Sequence, residues 1–235
     1  ERVRSAAKNS GIGLTQHRLT INLTPATLPK KGSGFDVAMV VAALQAEKKL
    51  KPSGDCVFLG EVGLDGSIRP IPGILPAVKA AADAGHSRVV VPAQNMHEAA
   101  LIPGIQVSGF RCLAEIFVAL GASAENLKYP PESVREQPTA EIPEHGIPSD
   151  MSDVAGQAQG RFALEIAAAG GHHLLFTGPP GSGKTMLAER LPSILPPLDD
   201  DAAMEVTAIR SLTAGGTPLR ELVRTPPFEA PHHSA

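Results

Sequence analysis

The eight residues GPPGSGKT, from Gly178 to Thr185, match the pattern G-x-x-x-x-G-K-[ST]. An apolar segment, Leu174 to Thr177, comes directly before this run and predicts a strand. A helical pattern from Lys184 to Leu191 follows it and ends at Pro192. Strand, glycine-rich loop and helix in this order are typical of a phosphate-binding loop at the start of an α/β domain.

The residue types in this run explain why a phosphate would bind there. Glycines allow a tight turn whose backbone N–H groups point inward, and the following helix N-terminus adds positive potential. Lys184 is expected to neutralise the β and γ phosphates of ATP, and Thr185 to ligate Mg²⁺. The alternative is a turn before a surface helix. The predicted ATP-binding residues of the loop are Gly178, Pro179, Pro180, Gly181, Ser182, Gly183, Lys184 and Thr185.

Composition excludes several classes of protein. The 235 residues include 21 Lys and Arg against 24 Asp and Glu, and this near-balance argues against a protein that coats polyanions. The longest apolar run, Val37 to Leu44, is far shorter than the roughly 18 residues of a membrane span. Cys56 and Cys112 lie far apart, which disfavours a disulfide framework or a zinc site and predicts a cytoplasmic location. The chain begins at Glu1 inside a predicted helix, so we expect a fragment of a longer protein.

A proline-rich, acidic segment divides the chain. Residues 121–150 contain five prolines and little apolar periodicity, which predicts an extended linker. The linker separates an N-terminal domain, residues 1–120, from a second domain, residues 151–235.

The N-terminal region alternates strand and helix patterns, which predicts an α/β domain with a mixed sheet. Asp65-Gly66 between two strand patterns predicts a hairpin with a type I′ turn. The predicted strands are Arg18 to Leu23, Cys56 to Val62, Ser67 to Ile71 and Arg88 to Val91, and the predicted helices are Phe35 to Lys49, Ile74 to Asp83 and Leu113 to Leu120.

Motifs on both sides of the linker resemble those of the bacterial magnesium-chelatase-like AAA+ ATPases of the ComM/YifB family. The N-terminal segments resemble the Lon-protease-like domain of that family, which is of the ribosomal S5 domain 2 type. The resemblance implies this domain followed by the beginning of a P-loop AAA+ domain. It rests on Glu1 to Gly11, Ile21 to Pro29, Gly60 to Pro72, Arg88 to Pro92, Ser152 to Gln157, Arg161 to Leu175, the phosphate loop, Met186 to Ala188, Leu195 to Leu198 and Pro231 to Ala235.

The same resemblance implies a function. It implies a cytoplasmic, homohexameric ATPase that uses ATP and Mg²⁺, acts on single-stranded or branched DNA as a branch-migration helicase, and serves recombination and natural transformation. Val154 and Gln157 resemble the AAA+ segment that lies against the adenine, although a plain helix start is the alternative. Competing hypotheses are a magnesium chelatase ATPase subunit, an ATP-dependent protease and a non-enzymatic, nucleotide-gated scaffold.

The Lon-like region lacks the catalytic pair of that protease class. Such a site uses a Ser nucleophile that is activated by a neutral Lys. When the chain is aligned with the Lon-like pattern, Gly34 occupies the Ser position, and Ser33 lies one residue before it. Ala77 occupies the Lys position. Lys79 lies two residues further on, about 200° around a helix. We therefore expect no protease activity.

ATP hydrolysis in this class requires further groups. An apolar strand that ends in acidic residues aligns Mg²⁺ and water, and a neighbouring subunit supplies an arginine. No such strand pattern follows Thr185 in these 235 residues. We expect these groups to lie outside this stretch of sequence, so that Lys184 is its single catalytic candidate and the stretch alone is inactive.

Three further features each have a structural explanation as well as a functional one. The pairs His172-His173 and His232-His233 are adjacent residues that would point to opposite faces of a strand, so we favour structural roles over metal binding. Asp199 to Asp201 could suggest a metal cluster, but they precede a helical pattern from Ala202 to Leu212, so we favour an N-cap. Basic residues near the N-terminus could contact DNA phosphates or form a solvated face; they are Arg2, Arg4, Lys8, Arg18, Lys30 and Lys31.

Overall fold

The computed structural model describes residues 1–14, 19–24, 32–131, 150–213 and 219–230. The chain forms two compact units, Glu1–Glu141 with Ala208–Glu221, and Ile142–Thr207 with Leu222–Ala235. The described helices are α1 (Arg2–Asn9), α2 (Asp36–Ala46), α3 (Ile74–Asp83), α4 (Met96–Ala99), α5 (Leu113–Ala119), α6 (Ala158–Gly170), α7 (Lys184–Glu189) and α8 (Asp200–Thr213). The described strands are β1 (Val57–Phe58), β2 (Glu61–Val62), β3 (Ile68–Arg69), β4 (Arg88–Pro92) and β5 (Gln106–Phe110).

The strands of the first unit form a parallel sheet and a separate hairpin. The sheet has the order β1-β4-β5, with Val89 opposite Val57 on one side and opposite Val107 on the other. The hairpin β2-β3 is antiparallel. The expected parallel and antiparallel pairs are therefore both present, but in two sheets instead of one mixed sheet.

Helix α2 supplies much of the first unit's core. Its buried residues Val37, Val40, Val41 and Leu44 follow the spacing of one helix face. They pack with residues of α1 and α5, including Phe117. The predicted helix from Phe35 to Lys49 is confirmed, with an earlier end. The reason is that Lys48 adopts positive φ, and its neighbour Lys49 donates back to the Leu44 carbonyl at 2.9 Å.

The predicted hairpin is confirmed, but its turn is of another type. A type I′ turn requires positive φ at both central residues, and of the predicted pair only Gly66 has it, at 83°. The Gly63 N–H donates to the Ser67 carbonyl at 2.8 Å, so the loop has three residues, and within it the Gly66 N–H donates to the Gly63 carbonyl at 3.0 Å. The strand predicted from Cys56 to Val62 is divided at Gly60 into β1 and β2, which belong to different sheets.

In the first unit, one predicted strand is absent and one observed strand was not predicted. Residues 19–23 form no strand, and Leu19, Ile21 and Leu23 are exposed, while Arg18 lies outside the described residues. Strand β5 was not predicted from the sequence. Its Ser108 and Gly109 have weak strand propensity, and the strand exists because it pairs in parallel with β4, far away in sequence.

The second unit has a small core beneath the phosphate loop. Met151, Val154, Leu164 and Leu187 are buried together. The strand predicted at Leu174 to Thr177 is not present as a strand, and Leu175 is 84% exposed. A strand requires a paired neighbour, and no described residue pairs with this segment.

Helix α8 begins as expected from its aspartates. Asp199 accepts a hydrogen bond from the Ala202 N–H at 2.8 Å, which is an N-cap. Asp200 pairs with Arg224 at 2.7 Å. Of the predicted linker, residues 121–131 belong to the first unit, where Ala122 and Leu127 pack against its core, and residues 132–149 lie outside the described residues. Lys30, Lys31 and His232-His233 also lie outside them. Within the described part, no helix is both long and apolar enough for a membrane crossing.

Candidate functional site

The phosphate loop has a backbone that depends on its glycines. Gly178, Gly181 and Gly183 have φ values of 154°, 77° and 83°. Residues with a Cβ adopt such values only with strain, so the glycines of the motif are required by the local conformation. The loop continues into α7, where the Leu187 N–H donates to the Gly183 carbonyl at 3.0 Å. This helix is shorter than predicted, and a 3₁₀ turn, Leu191–Ile194, follows it.

The Lys184 side chain folds back over the loop. Its Nζ donates to the carbonyl oxygens of Gly178 and Pro179 at 2.9 and 2.8 Å, and lies 3.3 Å from the Ser182 hydroxyl. The ammonium group is thus held within the turn of the loop, where phosphate oxygens could replace the carbonyl oxygens as its partners. Thr185 is exposed on the first turn of α7. No cluster of acidic, His or Cys side chains among the described residues forms a metal site by itself.

The segment that precedes α6 is fixed at its start by a capping box. Asp150 accepts from the Ser152 N–H at 2.7 Å, and Asp153 accepts from the Asp150 N–H at 3.2 Å. The hydrogen bonds of Ser152 lower the pKa of the Asp150 carboxyl. The Met151 N–H donates to the Ser193 hydroxyl at 3.0 Å, which ties the segment to the 3₁₀ turn after α7.

Val154 and Gln157, predicted beside the adenine, occupy different environments. The Val154 side chain is buried in the small core, its N–H donates to the Met151 carbonyl at 3.2 Å, and its carbonyl accepts from Arg161 at 3.4 Å. Gln157 is exposed, and its side-chain amide donates to the Ser182 carbonyl of the phosphate loop at 3.2 Å. Val154 shares the small core with Leu187 of α7, and Gln157 contacts the loop itself, through a hydrogen bond that sequence reasoning missed.

A second candidate site is a cavity of about 410 Å³ in the first unit. Its walls come from the segment before α2, the β1-β2 connection, the start of β2, the segment after β3 and the first turn of α3. Gly34 and Ala77, the residues at the Lon-like Ser and Lys positions, both line this cavity. The described lining residues include no lysine.

Ser33 has a carboxylate partner at the cavity wall. Its hydroxyl donates to the Glu61 carboxylate, and Glu61 also lies 3.8 Å from Arg2 and 3.9 Å from Arg69. Sequence reasoning missed Glu61, because it is 28 residues from Ser33 and no local pattern links them. A serine held by a carboxylate among arginines differs from the serine and neutral lysine pair of a Lon-type site.

A buried carboxylate supports the start of α2 beside this cavity. Asp36 lies 3.3 Å from Arg2 and accepts a hydrogen bond from the Val62 N–H at 3.4 Å. Burial raises the pKa of Asp36, and the Val62 N–H and Arg2 partly offset that rise. These contacts join α1, α2 and β2, so the cavity wall depends on the packed first unit.

Comparison with known protein families matches both parts of the chain. Residues 150–235 match the family described as magnesium chelatase, subunit ChlI, and residues 1–95 match the family described as subunit ChlI of Mg-chelatase. The phosphate loop lies within the first match, and Ser33, Glu61 and Ala77 lie within the second. Loop and family together define a protein of the magnesium-chelatase-like AAA+ class.

Curated relatives align with the whole chain. An uncharacterised protein of Mycobacterium tuberculosis strain H37Rv is 48% identical, the Escherichia coli K12 protein YifB 40%, and the Haemophilus influenzae competence protein ComM 36%. Each alignment covers 100% of this chain and 45 or 46% of the relative, so the chain spans about half the length of the curated relatives it matches. The chain belongs to the family of YifB and ComM.

The chain also has a partial similarity to Lon proteases. Over 118 residues it is 28% identical to Lon protease 2 of Bacillus subtilis, an alignment that covers 49% of this chain and 21% of that protein. This agrees with the resemblance to a Lon-like domain that the N-terminal segments indicated.

Proposed function

We propose that the phosphate loop binds MgATP and that the whole protein is an AAA+ ATPase. The observation that carries the proposal is the loop itself, in which three glycines adopt positive φ and the Lys184 ammonium is held within the turn. Residues Gly178 to Thr185 would hold the phosphates, Thr185 would ligate Mg²⁺, and Lys184 would neutralise the β and γ phosphates. The segment with Val154 and Gln157 would lie near the base.

The test of nucleotide binding is the substitution Lys184→Ala in the full-length protein. Loss of one charged contact to a phosphate should cost at least ~2 kcal/mol, or about thirtyfold in affinity, measured by calorimetry with MgATP. Lys79→Ala is a matched control, because Lys79 is an exposed lysine whose partner is Asp83 on α3. Equal affinity of wild type and Lys184→Ala would contradict the assignment.

For the whole protein, we propose an oligomeric DNA motor, a homohexamer that moves on single-stranded or branched DNA. Support comes from the similarity to YifB and ComM over the entire chain, the N-terminal unit included. Full-length protein should bind branched DNA more tightly with a non-hydrolysable ATP analogue. Its affinity should fall steeply with salt, because bound phosphates release counterions. Fluorescence anisotropy with neither nucleotide dependence nor a salt slope would contradict this function.

A magnesium chelatase ATPase subunit is the second candidate function. It is favoured by the descriptions of the two matching families, both of which name the ChlI subunit. Unwinding of a branched DNA substrate by the full-length protein would separate the two functions, since a chelatase subunit would assist Mg²⁺ insertion into a porphyrin and leave the DNA intact.

A further inference from the structure

Gln157, the residue before α6, has a backbone conformation that is unusual for its type. Its φ and ψ are 53° and 36°, in the left-handed region that glycine and asparagine adopt more readily. The residue is exposed, so burial of its side chain does not offset this strain. Such strain persists where surrounding contacts hold the residue in place, and it is concentrated at functional sites.

Two contacts hold Gln157 in place, one with α6 and one with the phosphate loop. Its backbone carbonyl accepts the first hydrogen bond of α6, from the Arg161 N–H at 2.9 Å. Its side-chain Nε2 donates to the Ser182 carbonyl oxygen at 3.2 Å. A β-carbon added to Gly183 would lie 3.4 Å from the same Nε2. The amide of Gln157 is therefore packed closely on the Ser182–Gly183 peptide.

This contact determines which way that peptide faces. A trans peptide is planar, and its C=O and N–H point in opposite directions. A hydrogen bond that holds the Ser182 carbonyl toward Gln157 therefore turns the Gly183 N–H away from Gln157. The Ser182 hydroxyl lies 3.3 Å from the Lys184 ammonium, so Ser182 contacts Gln157 through its backbone and Lys184 through its side chain.

We propose that Gln157 is a positioning residue for phosphate binding, acting on the Ser182–Gly183 peptide and not on the base. Its side chain fixes the Gly183 N–H as a donor for a phosphate oxygen. This inference rests on the proposed nucleotide binding at the loop. It differs from the adenine-contact hypothesis because it assigns the side chain to the phosphate end of the ligand.

The test compares ATP with inorganic tripolyphosphate, which has phosphates and no base, in the full-length protein. Both ligands compete against a fluorescent ATP analogue. Gln157→Ala and Gln157→Gly should each weaken ATP and tripolyphosphate by roughly three- to tenfold, the range of one neutral hydrogen bond. Gln159→Ala is the matched control, since Gln159 is an exposed glutamine two residues further on, and it should leave both affinities unchanged.

Thermal unfolding separates positioning from a structural role. Gln157→Gly removes the side-chain donor and also relieves the left-handed strain, so its melting temperature should equal or exceed that of wild type while its affinity falls. A variant that loses affinity only in proportion to lost stability would overturn the inference. Gln157→Gly also keeps the test valid if Gln157→Ala folds poorly.

The outcomes distinguish this inference from the proposed function. Loss of ATP affinity with unchanged tripolyphosphate affinity would assign Gln157 to the base and overturn the inference. Unchanged affinity for both ligands, or no competition by tripolyphosphate with wild type, would overturn it as well. Wild type that binds no ATP, or Lys184→Ala that binds as well as wild type, would instead refute the nucleotide site itself.

Discussion

The two candidate sites are built in opposite ways. The phosphate loop consists of neighbouring residues, from Gly178 to Thr185, on a core of few buried side chains, and Leu175 beside it is 84% exposed. The cavity of the first unit is assembled from distant segments, and Ser33 meets Glu61 only because α2 and β2 pack on a large core. A contiguous site retains its local geometry with little core, whereas a site of distant segments depends on the packing of the whole unit.

The strongest effect should be on stability, where replacing a buried phenylalanine costs far more than replacing an exposed one. Phe117 is 0% exposed in the core of the first unit, whereas Phe162 on α6 is 64% exposed. Phe117→Ala should reduce the free energy of unfolding by about 3–5 kcal/mol, since it removes buried area and leaves a cavity. Phe162→Ala should change it by less than about 0.5 kcal/mol, as is usual for surface sites.

Urea unfolding followed by circular dichroism measures both values in the same protein. Phe162→Ala is the matched control for Phe117→Ala, because each makes the same chemical change at a different burial. Similar losses from the two substitutions would mean that Phe162 is covered in the protein in solution, and the contrast between the two units would fail.

Alanine substitutions at two glycines, one in each unit, should have intermediate effects on stability. Gly11 has φ 100°, and a β-carbon there would lie 2.2 Å from the backbone oxygen of Asn126. Gly181 has φ 77° with nothing within 4 Å of such a carbon. Gly11→Ala should therefore cost about 2–4 kcal/mol of stability from strain and overpacking, and Gly181→Ala only about 1 kcal/mol from strain.

The two glycine variants should separate stability from binding. Gly181→Ala should weaken MgATP binding by calorimetry because it distorts the phosphate loop, while Gly11→Ala should leave binding unchanged below its unfolding temperature. A Gly11 variant that loses ATP affinity while folded would show that the loop depends on the packing of the first unit.

The smallest effect concerns an exposed carboxylate of the first unit. A hydrogen bond from His86, at 2.5 Å, and others from Ser87 lower the pKa of Asp55 to about 2. A lowered folded-state pKa contributes stability above the ordinary value of 3.8, and that contribution is lost as the pH falls toward 2. Asp55→Asn should therefore be slightly less stable than wild type at pH 5, and the difference should vanish near pH 2.

Melting temperatures of wild type and Asp55→Asn, measured between pH 2 and pH 6, test the direction of this pH dependence. Asp83→Asn serves as the control, because Asp83 is an exposed carboxylate of the same unit whose partner is Lys79, 3.0 Å away. A difference between wild type and Asp55→Asn that grows as the pH falls would contradict the assigned cause.

Local patterns predicted much of the first unit correctly. Helix α3 has the bounds expected from its sequence, and β4 differs from its predicted bounds only by including Pro92. Both elements carry their signal within a few residues, namely helical periodicity with a Gly stop and a β-branched run before a proline. The segment Leu174 to Thr177 carried an equally clear apolar signal and forms no strand, because a strand depends on a partner that local sequence does not specify.

The position of the phosphate loop, the choice of Lys184 as its lysine and the family of the chain could all be predicted from the amino-acid sequence. Each of these depends on residue types at short, fixed spacing, so it can be recognised from the local sequence. Three contacts became visible only in the folded chain: Ser33 with Glu61, β5 with β4, and Gln157 with the Ser182 carbonyl. These contacts join residues that are 18 or more positions apart, so they exist only once packing has brought their elements together.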